Sequence, residues 1–307
     1  MSFFKNIQTK NQKLIIPFFK EKELEVYMKR EDLIHPIISG NKFRKLKYNI
    51  LSIDKKNQLI SFGGAYSNHL LALSYIGKHE NLNTVGIVRG EELKNIELNP
   101  TLKRCLENGM KLKFVDRNEY RSRNNKHYIE KLINTYKNSV IIPEGGTNKK
   151  GIKGCEEILS DYDKAFFDVI CVPVGSGGTF SGLINSSSKK QLVIGFSSLK
   201  NSNLKNDINK FVVKNNWKLI DEDYFGGYAK FNQELISFIN NFYEITKIKL
   251  DPIYNSKMIF RIIDMIKKNK WRFGKRILII NTGGLQSLES FNKLLKNKKC
   301  ETISYSI

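Results

Sequence analysis

The order of apolar and helix-period segments predicts an α/β protein with two open, twisted, mostly parallel sheets flanked by helices. Short apolar runs of strand length alternate with segments whose apolar residues recur every three to four positions, as when strands are joined by crossover helices. Three of the runs end in glycine turns: Phe62-Gly63-Gly64, Val174-Gly175-Ser176-Gly177-Gly178 and Thr282-Gly283-Gly284. One interruption, Pro143-Glu144-Gly145-Gly146-Thr147-Asn148, divides the alternation into two halves. A chain of 307 residues exceeds the roughly 250 to 300 residues at which a single core stops growing, so two lobes with a cleft between them are expected. Ligands of such sheets sit at the C-terminal ends of strands, where the glycine turns fall.

Taken in order, residues 24–28 alternate like a short strand, and the charged run Lys29-Arg30-Glu31-Asp32 follows. Residues 34–38 read as a loop, because Pro36 biases its predecessor away from helix. Ser39-Gly40-Asn41-Lys42 is a small-residue turn into a helix on which Phe43, Leu46, Lys47 and Ile50 repeat at helical spacing. Lys42 therefore lies near a helix N-terminus, where N–H groups and the dipole favour negative charge. Strands are expected at 59–62, 84–88, 111–115 and 140–142, with helices at 67–78, 101–108 and 118–136 between them. The second half repeats the architecture, with strands at 168–174, 192–196 and 276–281 and helices at 151–159, 179–187, 233–246 and 256–267. No solenoid-length repeat or long linker interrupts this order.

The balance of 52 Lys and Arg against 30 Asp and Glu gives a formal charge of +22. The lysines are scattered, usually beside Asn, and only short runs such as 267–270 and 296–299 concentrate them. No aromatic-interleaved basic strip or zinc-finger spacing accompanies them, so a solvated surface that attracts small anions is expected, and no nucleic acid. Cys105, Cys155, Cys171 and Cys300 have no paired spacing, which fits a reducing compartment without structural zinc. None of the four histidines pairs with another four residues away, so no metal centre is expected. Residues 1–12 lack the apolar core of a secretory signal, and no segment reaches the ~18 apolar residues of a membrane helix. A cytoplasmic location, away from membranes, is the expectation.

Three glycine turns and one lysine carry the chemistry. Gly175-Ser176-Gly177-Gly178-Thr179 follows an apolar strand and opens a helix, so successive N–H groups can converge on an anion, with the Thr179 hydroxyl beside them. Phe180 stands where a dinucleotide fingerprint needs a third glycine, and the Gly-Lys-Ser/Thr of a P-loop is missing. A tight strand-to-helix turn without ligand explains this loop alone equally well. Ser61-Phe62-Gly63-Gly64-Ala65-Tyr66-Ser67-Asn68-His69 also joins a strand to a helix; Ser67 or Asn68 can cap that helix, and its first N–H groups can bind a carboxylate. In isolation Lys42 reads as one surface cation among many; together with the three turns it becomes the centre of a constellation.

These stretches, with Lys29-Arg30-Glu31-Asp32-Leu33, Lys42-Phe43-Arg44-Lys45-Leu46, Pro143-Glu144-Gly145-Gly146 and Asp251-Pro252-Ile253-Tyr254, resemble the fold-type II pyridoxal-phosphate enzymes. Within that group they are similar to the family of D-cysteine desulfhydrase and 1-aminocyclopropane-1-carboxylate deaminase, in family order from residue 29 to residue 284. The resemblance implies a fold like that of the tryptophan synthase β-subunit, with a large cofactor-binding domain (1–46 and 149–307) and a small α/β domain (47–148). It implies pyridoxal 5'-phosphate as cofactor, a small amino acid as substrate and a homodimer. Lys42 would carry the cofactor covalently, Gly175, Ser176, Gly177, Gly178 and Thr179 would hold its phosphate, and Asn68 would bond its 3-hydroxyl. Ser67 would meet the substrate carboxylate, and Tyr228 and Tyr254 match the family's two active-site tyrosines. A Schiff-base lysine must be unprotonated to react, and burial or a cationic neighbour lowers its pKa.

The family divides at two positions near the cofactor's ring nitrogen. Deaminases resemble one another in a Glu directly after the second tyrosine and a Leu before the late Gly-Gly; here these are Asn255 and Thr282. A carboxylate keeps the ring protonated and strongly electron-withdrawing, whereas an amide or hydroxyl does not. Weaker withdrawal suits loss of a β-substituent after α-proton removal, so β-elimination from a D-amino acid such as D-cysteine is expected. Ring-opening deamination is the alternative, and a non-catalytic cofactor- or polyanion-binding protein is a second one, since fold alone does not establish function.

Overall fold

The computed structural model describes residue 4 and residues 7–197, 202–221, 225–227 and 230–306. Its strands are β1 (Asn11–Lys13), β2 (Glu25–Lys29), β3 (Gln58–Gly63), β4 (Thr84–Arg89), β5 (Lys111–Val115), β6 (Ser139–Ile141), β7 (Val169–Val174), β8 (Leu192–Ser197), β9 (Trp217–Ile220) and β10 (Arg276–Ile280). The first-half helices are α1 (Pro17–Glu21), α2 (Asn41–Leu51), α3 (Asn68–Glu80), α4 (Pro100–Glu107), α5 (Arg117–Arg121) and α6 (Lys126–Thr135). Those of the second half are α7 (Lys149–Glu156), α8 (Asp161–Phe166), α9 (Gly178–Ser186), α10 (Leu204–Asn209), α11 (Gln233–Thr246), α12 (Asn255–Lys267) and α13 (Leu288–Asn297).

The strands form two sheets, one of order β1-β2-β10-β7-β8-β9 and one of order β5-β4-β3-β6. Every described pairing is parallel except that of β1 with β2. Both sheets are covered on both faces, which is why their strands read as continuous apolar runs. In β7, Val169 and Cys171 face one core while Ile170, Val172 and Val174 face another; Ile277 and Ile279 of β10 divide from Leu278 and Ile280 in the same way. In the smaller sheet, Leu59 and Val88 face one cluster, and Ile60, Phe62, Val85 and Ile87 its opposite. Pro173 fits a central strand because pairing to β10 stops at Cys171, while pairing to β8 continues to Val174.

The expected helix over 118–136 is two helices. Asp116 accepts from the Asn118 and Glu119 N–H groups to start α5, and Asn125 accepts from His127 and Tyr128 to start α6, with a 3-10 turn between. Side chains that compete for backbone N–H groups end one helix and begin the next. Six elements were not expected from the sequence, β1, β9, α1, α8, α10 and α13; most are short, with few apolar residues to set a period.

Helix α2 is packed against α7. A Cβ on Gly154 would lie 1.9 Å from the Arg44 carbonyl oxygen, so only glycine lets α7 approach α2 this closely. This contact sets the first turn of α2 beside the N-terminus of α9.

Candidate functional site

The turn that opens α2 is held from two sides. Gly40 has φ +65° and a Cβ there would come within 1.9 Å of the Thr282 carbonyl oxygen, so the turn requires glycine. The Gly40 N–H donates to the Glu31 carbonyl (3.0 Å), and the Asn41 N–H donates to that of Thr282 (3.3 Å). The turn after β10 is thereby docked onto the turn carrying Lys42.

Lys42 Nζ donates to Asn41 Oδ1 at 2.9 Å, and Asn41 Nδ2 donates to Thr179 Oγ1 at 2.9 Å, in the first turn of α9. Burial, then the charge of Lys45, bring the Lys42 ammonium down to a pKa of about 7; the Cys155 and Asp251 sites oppose the shift only in part. Lys42 therefore has a substantial free-amine fraction near neutral pH, available as a nucleophile or base.

Lys45, one turn along the same helix face, was missed by the sequence reading. Its Nζ donates to Thr147 Oγ1 (3.2 Å) and Ser176 Oγ (3.3 Å), whose hydroxyls lie 2.6 Å apart. Burial lowers its pKa, and its hydrogen-bond partners among the described residues are these two hydroxyls. A buried ammonium beside hydroxyls and the N-terminus of a nine-residue helix is a site for an anion. The space is kept open by glycine: a Cβ on Gly178 would lie 2.8 Å from Thr147 Oγ1 and 3.0 Å from Lys45 Nζ, and one on Gly145 2.9 Å from Ser176 Oγ. The signal available in the sequence was the three-residue spacing of Lys42 and Lys45, which places both on one helix face.

Ser67 caps α3, accepting from the Leu70 N–H at 3.2 Å, and its hydroxyl proton remains free to donate elsewhere. Asn68 Nδ2 reaches the Gly284 carbonyl at 3.4 Å, while its Oδ1 is buried without a partner among the described residues. His69 was also missed as a site neighbour. The Ser61 hydroxyl donates to the Ile142 carbonyl (2.7 Å) and so accepts from His69 Nε2 (2.8 Å), which leaves Nδ1 as a bare, buried acceptor. Burial and the charges of Lys42 and Lys45 hold this imidazole neutral, well below its ordinary pKa.

The Tyr254 ring packs on the cup, with Cε1 3.3 Å from where a Gly175 Cβ would stand. Tyr228 lies outside the described residues. Asn255 is fully buried and its amide is spent within the protein: Nδ2 donates to Asp251 Oδ2 and to the Gly283 carbonyl (2.9 Å), and Oδ1 accepts from the Thr282 N–H (3.1 Å) and hydroxyl (3.4 Å). The expected direct contact of Asn255 with a cofactor thus finds no unused donor; the residue shapes the Thr282 turn instead.

The constellation combines an amine of low pKa, an anion cup with a buried cation, and an unpaired amide oxygen at the start of α3. These suit a phosphorylated aldehyde that bonds covalently to lysine. The profile described as pyridoxal-phosphate dependent enzyme matches residues 14–283. The chain belongs to that family. Its cofactor is pyridoxal 5'-phosphate and its fold is that of the fold-type II enzymes. A putative 1-aminocyclopropane-1-carboxylate deaminase of Thermotoga maritima is 30% identical over 86% of this chain and 89% of its own. The mitochondrial bifunctional D-cysteine desulfhydrase/1-aminocyclopropane-1-carboxylate deaminase of Arabidopsis thaliana is 29% identical over 86% of this chain and 73% of its own. The crystal structure of an ACC deaminase homologue superposes with a TM-score of 0.79 at 25% identity, covering 94% of each chain. Among the described residues no helix is long and apolar enough to cross a membrane, and no cluster of three His, Cys, Asp or Glu could hold a metal.

Proposed function

We propose that this enzyme removes the β-substituent of a small D-amino acid, with D-cysteine giving pyruvate, sulfide and ammonia. The observation that carries the reading is Lys42, a buried amine with a pKa of about 7 beside an anion cup. Lys42 would hold the cofactor, and its free amine would take the α-proton from Cα of the substrate. The cofactor supplies the electron sink when bound. The Gly175 to Thr179 loop, with Lys45 and Thr147, holds the phosphate; Asn68 meets the 3-hydroxyl, and Ser67 with the α3 N–H groups the substrate carboxylate. Tyr254 and Tyr228 serve the leaving group or the substrate amine. A substrate bearing an α-proton uses the neutral base at Lys42, whereas 1-aminocyclopropane-1-carboxylate has no such proton.

The deaminase reading is kept as the second, because similar proteins carry that name. Assay of sulfide and pyruvate from D-cysteine against 2-oxobutanoate from the cyclopropane amino acid separates the two. Pyruvate and sulfide formation is expected to dominate in kcat/KM; 2-oxobutanoate as the faster product overturns the first reading.

Lys45→Met keeps the unbranched shape and most of the length of the side chain and removes the charge. A hydrogen bond to a charged group contributes about 1.5–3 kcal/mol, so the cofactor Kd should rise by roughly 10- to 100-fold. Fluorescence titration of the apoprotein measures this, and an unchanged Kd would remove Lys45 from the phosphate site.

The pH dependence of loading follows from Lys42. Apoprotein should react with the cofactor aldehyde at a rate that rises through pH about 7 and levels above it, because only the free amine attacks. The same shift has a thermodynamic sign. Lys42 has a folded pKa of about 7 against an unfolded value of 10.5. Between them the unfolded chain binds the extra proton, so this group's contribution makes the apoprotein more stable as pH rises across that window. Stopped-flow absorbance gives the loading profile, and a rate that is flat from pH 6 to 9 contradicts it.

A further inference from the structure

Arg89 is the last residue of β4, at the end of the strand where ligands of a parallel sheet bind. Strands β3 and β4 run parallel with Gly63 opposite Val88, so the chain leaves β3 through Gly64 directly beside Arg89. Arg89 Nη2 would lie 3.7 Å from a Cβ on Gly64, and apart from the chain neighbours of Gly64 no other described heavy atom lies within 4 Å of that point. Gly64 therefore opens onto free space whose nearest wall is a guanidinium.

Gly64 also begins the turn that delivers Ser67. The Ser67 N–H donates to the Gly64 carbonyl at 3.1 Å, and a Cβ on Gly63 would lie 2.4 Å from Ser67 Oγ. The ends of such a turn are less than about 7 Å apart, so the cation stands within one turn of the residue assigned to the substrate carboxylate.

Two arginines lie over the Tyr120 ring, Arg89 Cζ at 5.8 Å and Arg123 Cζ at 4.9 Å from its centroid. They differ in what neutralises them. Arg123 Nε donates to Glu144 Oε2 at 2.7 Å, and the Tyr120 hydroxyl donates to the other oxygen of that carboxylate at 2.7 Å. Glu92, three residues beyond Arg89, accepts from Arg117 at 3.0 Å. Arg89 itself is exposed and has no hydrogen bond or ion pair among the described residues. The aromatic face holds the guanidinium and leaves its donors, a fork that fits carboxylate or phosphate, for a ligand. Glu144 in turn leads into Gly145, whose Cβ would lie 2.9 Å from Ser176 Oγ. Arg89 is thus linked through Gly64 to the loop of Ser67, and through Tyr120 and Glu144 to the turn that borders the anion cup.

We propose that Arg89 is the binding site for an anionic β-substituent, so that the preferred substrate is a small D-amino acid with a phosphate ester on Cβ. The inference rests on the reading of Lys42 as the base and Ser67 as the partner of the substrate carboxylate. With the amine and the carboxylate so directed, the β-substituent is the group left to occupy the space at Gly64. Lys42 takes the α-proton and the Cβ–O bond breaks. Its electron pair leaves on phosphate, whose added charge the guanidinium offsets and whose proton comes from water. The released enamine takes up water to give pyruvate and ammonia.

The test is isothermal titration of the holoenzyme with D-2-amino-4-phosphonobutanoate, in which a methylene replaces the ester oxygen, against D-2-aminobutanoate, which lacks the phosphonate. The wild type is expected to bind the phosphonate roughly 10- to 100-fold tighter. In Arg89→Met that ratio should fall below about 5-fold, and in Arg89→Lys, which keeps the charge without the fork, it should lie between the two. A wild-type ratio near one overturns the proposal, as does a ratio unchanged in Arg89→Met; if Arg89→Met fails to fold, the wild-type ratio and Arg89→Lys decide. Pyruvate from O-phospho-D-serine is expected to exceed that from D-cysteine in kcat/KM, and the reverse order overturns the substrate preference. Pyruvate from D-cysteine without a phosphonate preference leaves the elimination reading standing and removes Arg89 from the site. A phosphonate preference that depends on Arg89, with no pyruvate from either amino acid, upholds the anion subsite and removes the elimination reading instead.

Discussion

Replacing Lys42 by alanine is expected to lower kcat by about 10³-fold or more, within the range that loss of a general base costs and with a covalent anchor lost besides. The protein should still fold, because Lys42's single described hydrogen bond is to its neighbour Asn41. It should still bind the cofactor, because Lys45, Thr147 and the α9 N-terminus remain. The expected result is therefore a specific split. Equilibrium binding of the cofactor falls modestly, borohydride no longer fixes it to the chain, and turnover is lost. Retained turnover, or an adduct formed at Lys45, would show that the buried neighbour is the reactive amine. The structure offers that alternative directly, since burial lowers the pKa of Lys45 as well. The two lysines are distinguished by their partners among the described residues: Lys45 is engaged by the cup's hydroxyls, while Lys42 is bonded to an amide oxygen beside it.

How far the sequence foretold this site can be argued residue by residue. The central strands were legible because both of their faces are buried, so β3, β4, β7, β8 and β10 are mostly apolar. Their glycine turns were legible for the same reason, as abrupt ends to such runs. Edge elements were not. In β9 the pattern WKLI has no fully buried residue, and β1 is three polar residues whose strand character comes only from pairing with β2. In the site, Lys42 could be singled out from its turn, but the role of Lys45 depends on Thr147 and Ser176, which are 102 and 131 residues away. The tautomer of His69 depends on the Ser61 bond to a third strand-end carbonyl, and no local pattern carries that. Asn255 shows the opposite failure. Its identity was read as a direct tuning contact, whereas the amide is consumed by Asp251, one helical turn back, and by the Thr282–Gly284 turn. A side chain's partners are set by long-range packing, and that step lies beyond residue type and spacing.

Glu31→Ala should be the most destabilising of the simple substitutions, at about 3–5 kcal/mol, as when one partner of a buried ion pair is removed. Glu31 is 0% exposed and Arg44 1% exposed. Arg44 Nε donates to Glu31 Oε2 (2.9 Å) and Nη2 to Oε1 (3.0 Å), the two-pronged geometry in which guanidinium binds carboxylate most strongly. Thr9 Oγ1 donates to the same carboxylate, so its deletion strands a hydroxyl as well as a cation. Glu157, 3.6 Å from Arg44 Nη1, is already engaged by Lys47 and Tyr48, and compensates only in part. The pair also holds the active turn, because Arg44 sits on the first turn of α2 and the Glu31 backbone carbonyl receives the Gly40 N–H. Loosening it should displace Lys42 relative to the cup, so cofactor affinity falls along with stability. Denaturant unfolding measures the first effect and fluorescence titration the second. A double change, Glu31→Leu with Arg44→Met, removes both charges together and should recover most of the stability, since well-packed apolar replacements of buried pairs are often neutral or better. If Glu31→Ala costs less than about 1 kcal/mol, the pair behaves like an exposed one, and the Lys42 turn is anchored by the backbone contacts of Gly40 and Asn41 with Glu31 and Thr282.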